Sequence, residues 1–268
     1  MRIPPLIVTR EHGSWALLVV PLVTGAAHGH FTWLHAFLAT SATAFFMSYV
    51  PAQTLLRGAR GQSLDEGKRH AARFWGAVYV AVGSVSLIPL LMEGLWMLVV
   101  IGASAMLLFA ITHALNIRKS TSVVGNLIAM LGLTLGAPAA YYVGAGVLDR
   151  GALFPWIANI LFFASSVFYV DMKIRGAPMK GNRTIGEVLR VGKHNLVFIT
   201  LLWALVAIGG TITPLPPMAY ALFLPMSIHG VWGTVTLGPK TNFKRLGLVL
   251  LAQSVVFGGM VMGIGRLP

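Results

Sequence analysis

FYVDMKIRGAPMKGNRTIGEVLRVGK, residues 168–193, is the stretch on which the reading of this chain turns: a long apolar run stops at Asp171 and gives way to cations. Lys173, Arg175, Lys180, Arg183, Arg190 and Lys193 stand there with only Asp171 and Glu187 as acids, among Gly176, Pro178, Gly181 and Asn182. A loop this polar does not enter hydrocarbon, so it marks a water edge beside an apolar span. The functional reading is a site for something anionic. The plainer reading is that these are topology charges, which water-facing loops of membrane proteins collect.

Outward from this stretch the chain is mostly apolar. Of 268 residues 56% are hydrophobic and 10% charged, with a mean hydropathy of +0.78, whereas soluble domains carry about 25% charged residues. These values describe an integral membrane protein. The net charge of +13 is spread over short loops instead of one soluble face, which argues against nucleic acid as a partner. Without cysteine, thiol catalysis, disulfides and thiolate metal sites are excluded. The first apolar run lacks a small-residue cleavage site and is followed by more spans, so it is expected to be a retained helix.

A spanning helix needs about 20 mostly apolar residues, and this ruler predicts nine spans, at 13–29, 34–56, 74–92, 95–115, 122–144, 153–172, 195–212, 216–236 and 246–264. Helices are the form lipid allows here, so the expected fold is all-α, a polytopic bundle in one domain over residues 1–268. Nine spans put Arg2, Arg10, Arg57, Arg60, Lys68, Arg69, Arg73, Arg118, Lys119, the six cations of the 173–193 loop, Lys240, Lys244 and Arg245 on one side, and leave Arg150 and Arg266 on the other. By the bias of lysine and arginine toward the cytoplasm, the N-terminus is expected to be cytoplasmic, the C-terminus outside and the location the inner membrane.

Ionisable residues at such depths mark function by default. Glu11, His12, Tyr49, Gln53, His113, Asn116, Asn126, Tyr169, Asp171, His194, Asn195 and His229 all fall near the expected cytoplasmic ends. The arrangement that uses them all is a pocket opening to the cytoplasm, cationic at its mouth and apolar at depth, suited to an amphiphile with an anionic head. His28 and His30 lack a helical metal-ligand spacing, so no metal is assigned. Haem between two deeper histidines stays open. Asp171 with Lys173 or Arg175 also has a purely structural reading.

TREHGSWALLVVPLVTG, residues 9–25, resembles the opening of the YwiC-like family of bacterial membrane proteins. More distantly, the chain resembles the UbiA superfamily of intramembrane prenyltransferases. NIRKSTSVVGNLIAMLGLTLGAPAAYY, 116–142, is similar to that superfamily's fourth-to-fifth helix junction, and FYVDMKIRGAPMKGNRTIGEVL, 168–189, resembles its second aspartate-rich motif. The resemblance implies a UbiA-like bundle of nine helices whose active site is closed by the loops after the second and sixth helices. It also implies magnesium-assisted loss of an allylic diphosphate, magnesium being held by carboxylates and phosphate oxygens. Here the first motif reads SYVPAQTLLRGARGQSLDEG, with Ala52, Gln53, Leu55 and Leu56 where carboxylates are expected, and the second keeps only Asp171. Most of the magnesium ligands are therefore missing.

The sequence thus predicts a prenyltransferase-like scaffold with degenerate motifs, binding an isoprenoid or lipid phosphate through Arg57, Arg60, Asn126, Lys173, Arg175, Arg183 and Thr184, since arginine forks match phosphate geometry. Glu11, His12, Asp171 and His229 are the candidate acids and bases. The alternatives are a small-molecule transporter or permease and an accessory protein of a respiratory or haem pathway. Acceptor, cofactor and oligomeric state are not legible.

Overall fold

The structure is a computed structural model describing residues 4–8, 12–60, 63, 65–118, 123–178, 184–212, 217–238 and 241–264. Its regular elements are helices: α1 (His12–Gly29), α2 (Leu34–Ala59), α3 (Glu66–Met92), α4 (Met97–Arg118), α5 (Val123–Thr134), α6 (Gly136–Ala145), a single 3-10 turn (Arg150–Ala152), α7 (Leu153–Gly176), α8 (Ile185–Ile212), α9 (Pro217–Ala221), α10 (Leu224–Val235) and α11 (Phe243–Ile264). Among the described residues six stretches are long and apolar enough to cross a membrane: Glu66–Met92, Met97–Leu115, Val123–Ala145, Arg150–Gly176, Ile185–Thr211 and Phe243–Ile264. A shorter apolar helix covers Gly13–Gly29. Their outward faces are apolar too. Val85 is 63% exposed, Met106 66% and Val255 64%, a surface that fits lipid and not water.

Two expected spans come in two pieces, each broken next to a proline. Pro138 has no N–H for the Thr134 carbonyl one turn earlier, and the helix parts between Thr134 and Gly136. Pro225 sits in the first turn of α10, after the break that ends α9, a place where its missing donor costs nothing. Helix starts in water are capped by side chains. The Asp65 carboxylate accepts from the Lys68 amide at 3.3 Å and Asn242 from the Arg245 amide at 3.1 Å. Thr184 and Glu187 form a reciprocal capping box, Glu187 accepting from the Thr184 amide at 3.1 Å and Thr184 from the Glu187 amide at 3.3 Å.

Helix α1 is the axis of the bundle, packed on α5, α6, α7 and α11. Its Gly25 and Gly29, four residues apart, let α6 approach until a methyl group at either would strike the backbone of Ala137 or Tyr141. Small residues at this spacing are how membrane helices gain contact when lipid offers no hydrophobic drive. On the other flank Phe162 of α7 stacks on Phe257 of α11 at 4.1 Å, with Val20, Leu202, Phe223 and Val261 completing the cluster. Helices α2 and α3 form a hairpin against α1 and α6, and α4 leans on α5. The N-terminal segment is tied to α3, where Trp75 donates to the Pro4 carbonyl at 3.2 Å and Tyr79 to that of Ile7 at 2.8 Å. Past α6, Asp149 accepts from the Tyr141 hydroxyl at 2.7 Å and the Gly151 amide at 2.8 Å. These bonds hold its carboxyl below the usual carboxylate range.

Candidate functional site

The polar residues of the bundle gather in two groups instead of one. The first joins α7, α8, α10 and α11. Arg175 pairs with Asp171 one turn before it and lies 3.3 Å from His194 Nδ1 on α8. Lys173, 8% exposed, turns inward and donates to the Gly233 carbonyl at 2.7 Å, with its ammonium 5.4 Å from the centre of the Tyr169 ring. Gly233 stands in the last turn of α10, where carbonyls lack intrahelical partners and the helix dipole favours a cation. Lys173 is thus satisfied without a carboxylate.

Above it runs a hydrogen-bonded chain. The Tyr169 hydroxyl lies 3.1 Å from His229 Nε2, and His229 Nδ1 lies 3.2 Å from Gln253 Oε1. An amide oxygen only accepts, so Nδ1 carries the proton and Nε2 accepts from the tyrosine. Asn195 of α8, fully buried, donates to the Gly230 carbonyl and to Thr234, each at 3.1 Å. Glycine at 230 and 233 is what permits this closeness, because a side chain at 233 would strike the Tyr169 hydroxyl and one at 230 would meet Ile199 and Asn195.

The second group faces across α2 and α4. On α2, Tyr49, Gln53, Arg57 and Arg60 recur at helical spacing along one stripe. On α4, Phe109 and His113 do the same. Gln53 donates to the Tyr49 hydroxyl at 2.5 Å, and the Tyr49 ring meets Phe109 at 5.5 Å. One turn further toward the helix ends, Arg60 and Arg57 act electrostatically on His113. Both arginines are exposed, and among the described residues neither guanidinium has an ion-pair or hydrogen-bond partner. His113 Nε2 is sealed from solvent and also has no hydrogen-bond partner.

Of the other residues expected at the site, Asn126 is exposed on the first turn of α5 and Thr184 serves the cap of α8. Glu11, Arg183 and the side chain of His12 lie outside the described residues. Asp171 and His229 share the first group but hold different partners, Arg175 and the Tyr169–Gln253 pair respectively. Among the described residues no three histidines or carboxylates gather as a metal site. Two depressions are present elsewhere. A basin of about 630 Å³ lies along Glu66, Arg69, His70, Arg73 and Phe74 at the start of α3, and an apolar groove of about 570 Å³ runs between α8 and α10 along Ile199, Trp203, Ser227, Ile228 and Trp232.

Sequence reasoning missed Gln253, and the signal was there: a lone amide in the apolar run of α11. It also missed the buried pair of Asn159 and Thr24, 2.9 Å apart, which ties α7 to α1. Both residues sit in runs that read as plain spans.

Comparison with known proteins places this architecture. The chain is 25% identical over 170 residues to the uncharacterized protein YwiC of Bacillus subtilis (strain 168), a match covering 63% of this chain and 67% of that protein. It is 24% identical over 172 residues to an uncharacterized protein of Haemophilus influenzae, covering 63% and 68%. No solved structure matches it. The family model for YwiC-like proteins matches residues 8–141, which take in the α1–α6 contact and the whole α2/α4 group. The chain belongs to the YwiC-like family.

Proposed function

We propose that this YwiC-like integral membrane protein binds an isoprenoid or other lipid phosphate at the ends of α2 and α4, on a UbiA-like scaffold and without a two-magnesium site. The scaffold is read as one domain of nine spans, the α5–α6 and α9–α10 pairs each counting as one broken span. Its N-terminus is cytoplasmic, its C-terminus lies outside, and the site opens to the cytoplasm of a bacterial inner membrane. The observation that carries the reading is the pair Arg57 and Arg60, exposed one turn apart with no partner among the described residues, above the Tyr49–Phe109 aromatic contact. Guanidinium groups left unpaired are suited to phosphate, and an aromatic wall beneath them suits a tail. In this reading fixed cations take over the charge that carboxylate-held magnesium supplies in the prenyltransferases the sequence resembles. Of the expected acids and bases, Asp171 and His229 belong to the other group, so chemistry on the bound lipid would draw on Glu11 or His12.

The test is binding of a prenyl diphosphate to the purified protein, with magnesium and with a chelator. Binding that survives chelation is expected. Binding that needs magnesium would restore the metal-assisted reading, and none at all would remove lipid phosphate as the ligand.

One observation favours a second reading, a transporter. Buried and half-buried polar groups occur in both halves of the bundle, with Thr24, Asn159 and His28 toward one end and Tyr169, His229 and Gln253 toward the other, as a polar path through the membrane requires. Uptake or release of solute by proteoliposomes distinguishes the two.

A further inference from the structure

We propose that the ligand of the α2/α4 group ends in a phosphomonoester, and that His113 is the third group that holds it. This rests on the lipid-phosphate reading above and narrows its chemical class. Nitrogen Nε2 of His113 is closed to solvent yet unpartnered. A polar atom in that state is destabilising and calls for a partner that the protein itself does not supply. The groups bearing on it are defined. Arg57 and Arg60 stand on the α2 stripe beyond Gln53 and act on His113 electrostatically. On the α5 side of α4, Thr112 donates to the Gly125 carbonyl at 3.3 Å, and Leu108 and Phe109 cover Gly132. None of these is an acid, and Asp65 and Glu66, at the start of α3, pair with neither arginine. The site therefore presents two guanidinium forks and one imidazole edge, with no carboxylate among the described residues.

Counting oxygens selects the ligand. A phosphomonoester has one oxygen carrying the tail and three free oxygens, one for each arginine and one for an imidazole N–H. A phosphodiester, the linkage of ordinary phospholipids, has only two free oxygens and so leaves one of the three groups without a partner. The helical register supplies the tail's exit, since Tyr49 and Phe109 stand one turn below Gln53 and His113 on the same stripes and already touch. A monoester held by these three groups with its tail leaving along the aromatic pair gives each of them a partner.

The experiment compares oleyl phosphate with oleyl methyl phosphate, the same tail as mono- and diester, binding to the full-length protein in neutral detergent with a chelator present. The wild type is expected to bind the monoester at least about tenfold more tightly, the effect of one good charge-assisted hydrogen bond. His113→Leu should remove most of that preference by weakening the monoester alone, and His113→Gln, which keeps an N–H donor, should retain part of it. Equal binding of the two esters by the wild type, or a preference undiminished in His113→Leu, would overturn the proposal. Inorganic phosphate added as competitor separates a free anion from a lipid: displacement only at large excess is expected, and displacement at concentrations comparable to oleyl phosphate would refute the lipid ligand. Arg57→Gln with Arg60→Gln is the control on the reading beneath. Loss of both esters is expected, and unchanged binding of both would bring down the lipid-phosphate site itself, an outcome distinct from a mere loss of ester preference.

Discussion

The α7/α8/α10/α11 group and the α2/α4 group hold the same kinds of residue, cations beside a histidine, a tyrosine and an amide, yet they are finished differently. In the first, the two cations of α7 have partners supplied by the chain: Asp171 for Arg175 and the Gly233 carbonyl for Lys173. Tyr169, His229 and Gln253 likewise satisfy one another. In the second, Arg57, Arg60 and His113 Nε2 are left open among the described residues. A set of buried polar groups that is complete rigidifies a bundle, while an incomplete one is suited to a ligand. Sequence density of charge does not tell the two apart. In the stretch with six cations, Lys173 and Arg175 are tied into the fold, and the sparser pair on α2 stands beside a buried nitrogen that has no partner.

Mutations that separate stability from binding break or sharpen this contrast. The largest effect is expected from Arg57→Gln with Arg60→Gln, which should cost about 1–3 kcal/mol of lipid-phosphate affinity per arginine and leave the thermal unfolding temperature unchanged. A parallel fall in both quantities would make α2 structural. Lys173→Met should do the reverse, lowering stability by about 1.5–3 kcal/mol, since the Gly233 carbonyl loses its charged donor, with lipid affinity retained in calorimetry. Gly233→Ala comes next, at about 1–3 kcal/mol of stability from overpacking against the Tyr169 hydroxyl; an unchanged melting temperature would show that α7 and α10 are not held as closely as described. The smallest is Arg175→Gln, an exposed pair worth about 0–1 kcal/mol. Its affinity for the lipid should match the wild type, and a loss as large as that of Arg57→Gln would move the site to the facing ends of α7 and α8.

Much of the fold was legible because lipid imposes one rule on sequence. The apolar runs at 13–29, 34–56 and 153–172 start within a residue of α1, α2 and α7. The same ruler began the third helix at residue 74, whereas α3 starts at Glu66. Hydropathy sees only what hydrocarbon tolerates, and a helix capped by Asp65 continues into water with charged turns. The break between α5 and α6 could be anticipated from Pro138, but not whether it would kink or part the helix. The site was less legible. Pairing of Asp171 with Arg175 follows from their spacing of four. The partner of Lys173 lies 60 residues away on another helix, and its burial depends on a glycine whose role shows only in packing. Arg57 and Arg60 stood out for their type, and His113 gained meaning only once α4 was seen to face them.

The most direct test of the account is to find where the tail lies. Oleyl phosphate bearing a diazirine in its chain, photolysed with the purified protein and followed by peptide mapping, reads the position without relying on a mutant. Labelling of the α2 and α4 peptides around Tyr49 and Phe109, suppressed by excess unlabelled oleyl phosphate, is the predicted result. Competable label confined to the α8/α10 groove around Trp203 and Ile228, with none on α2 or α4, would contradict the central claim.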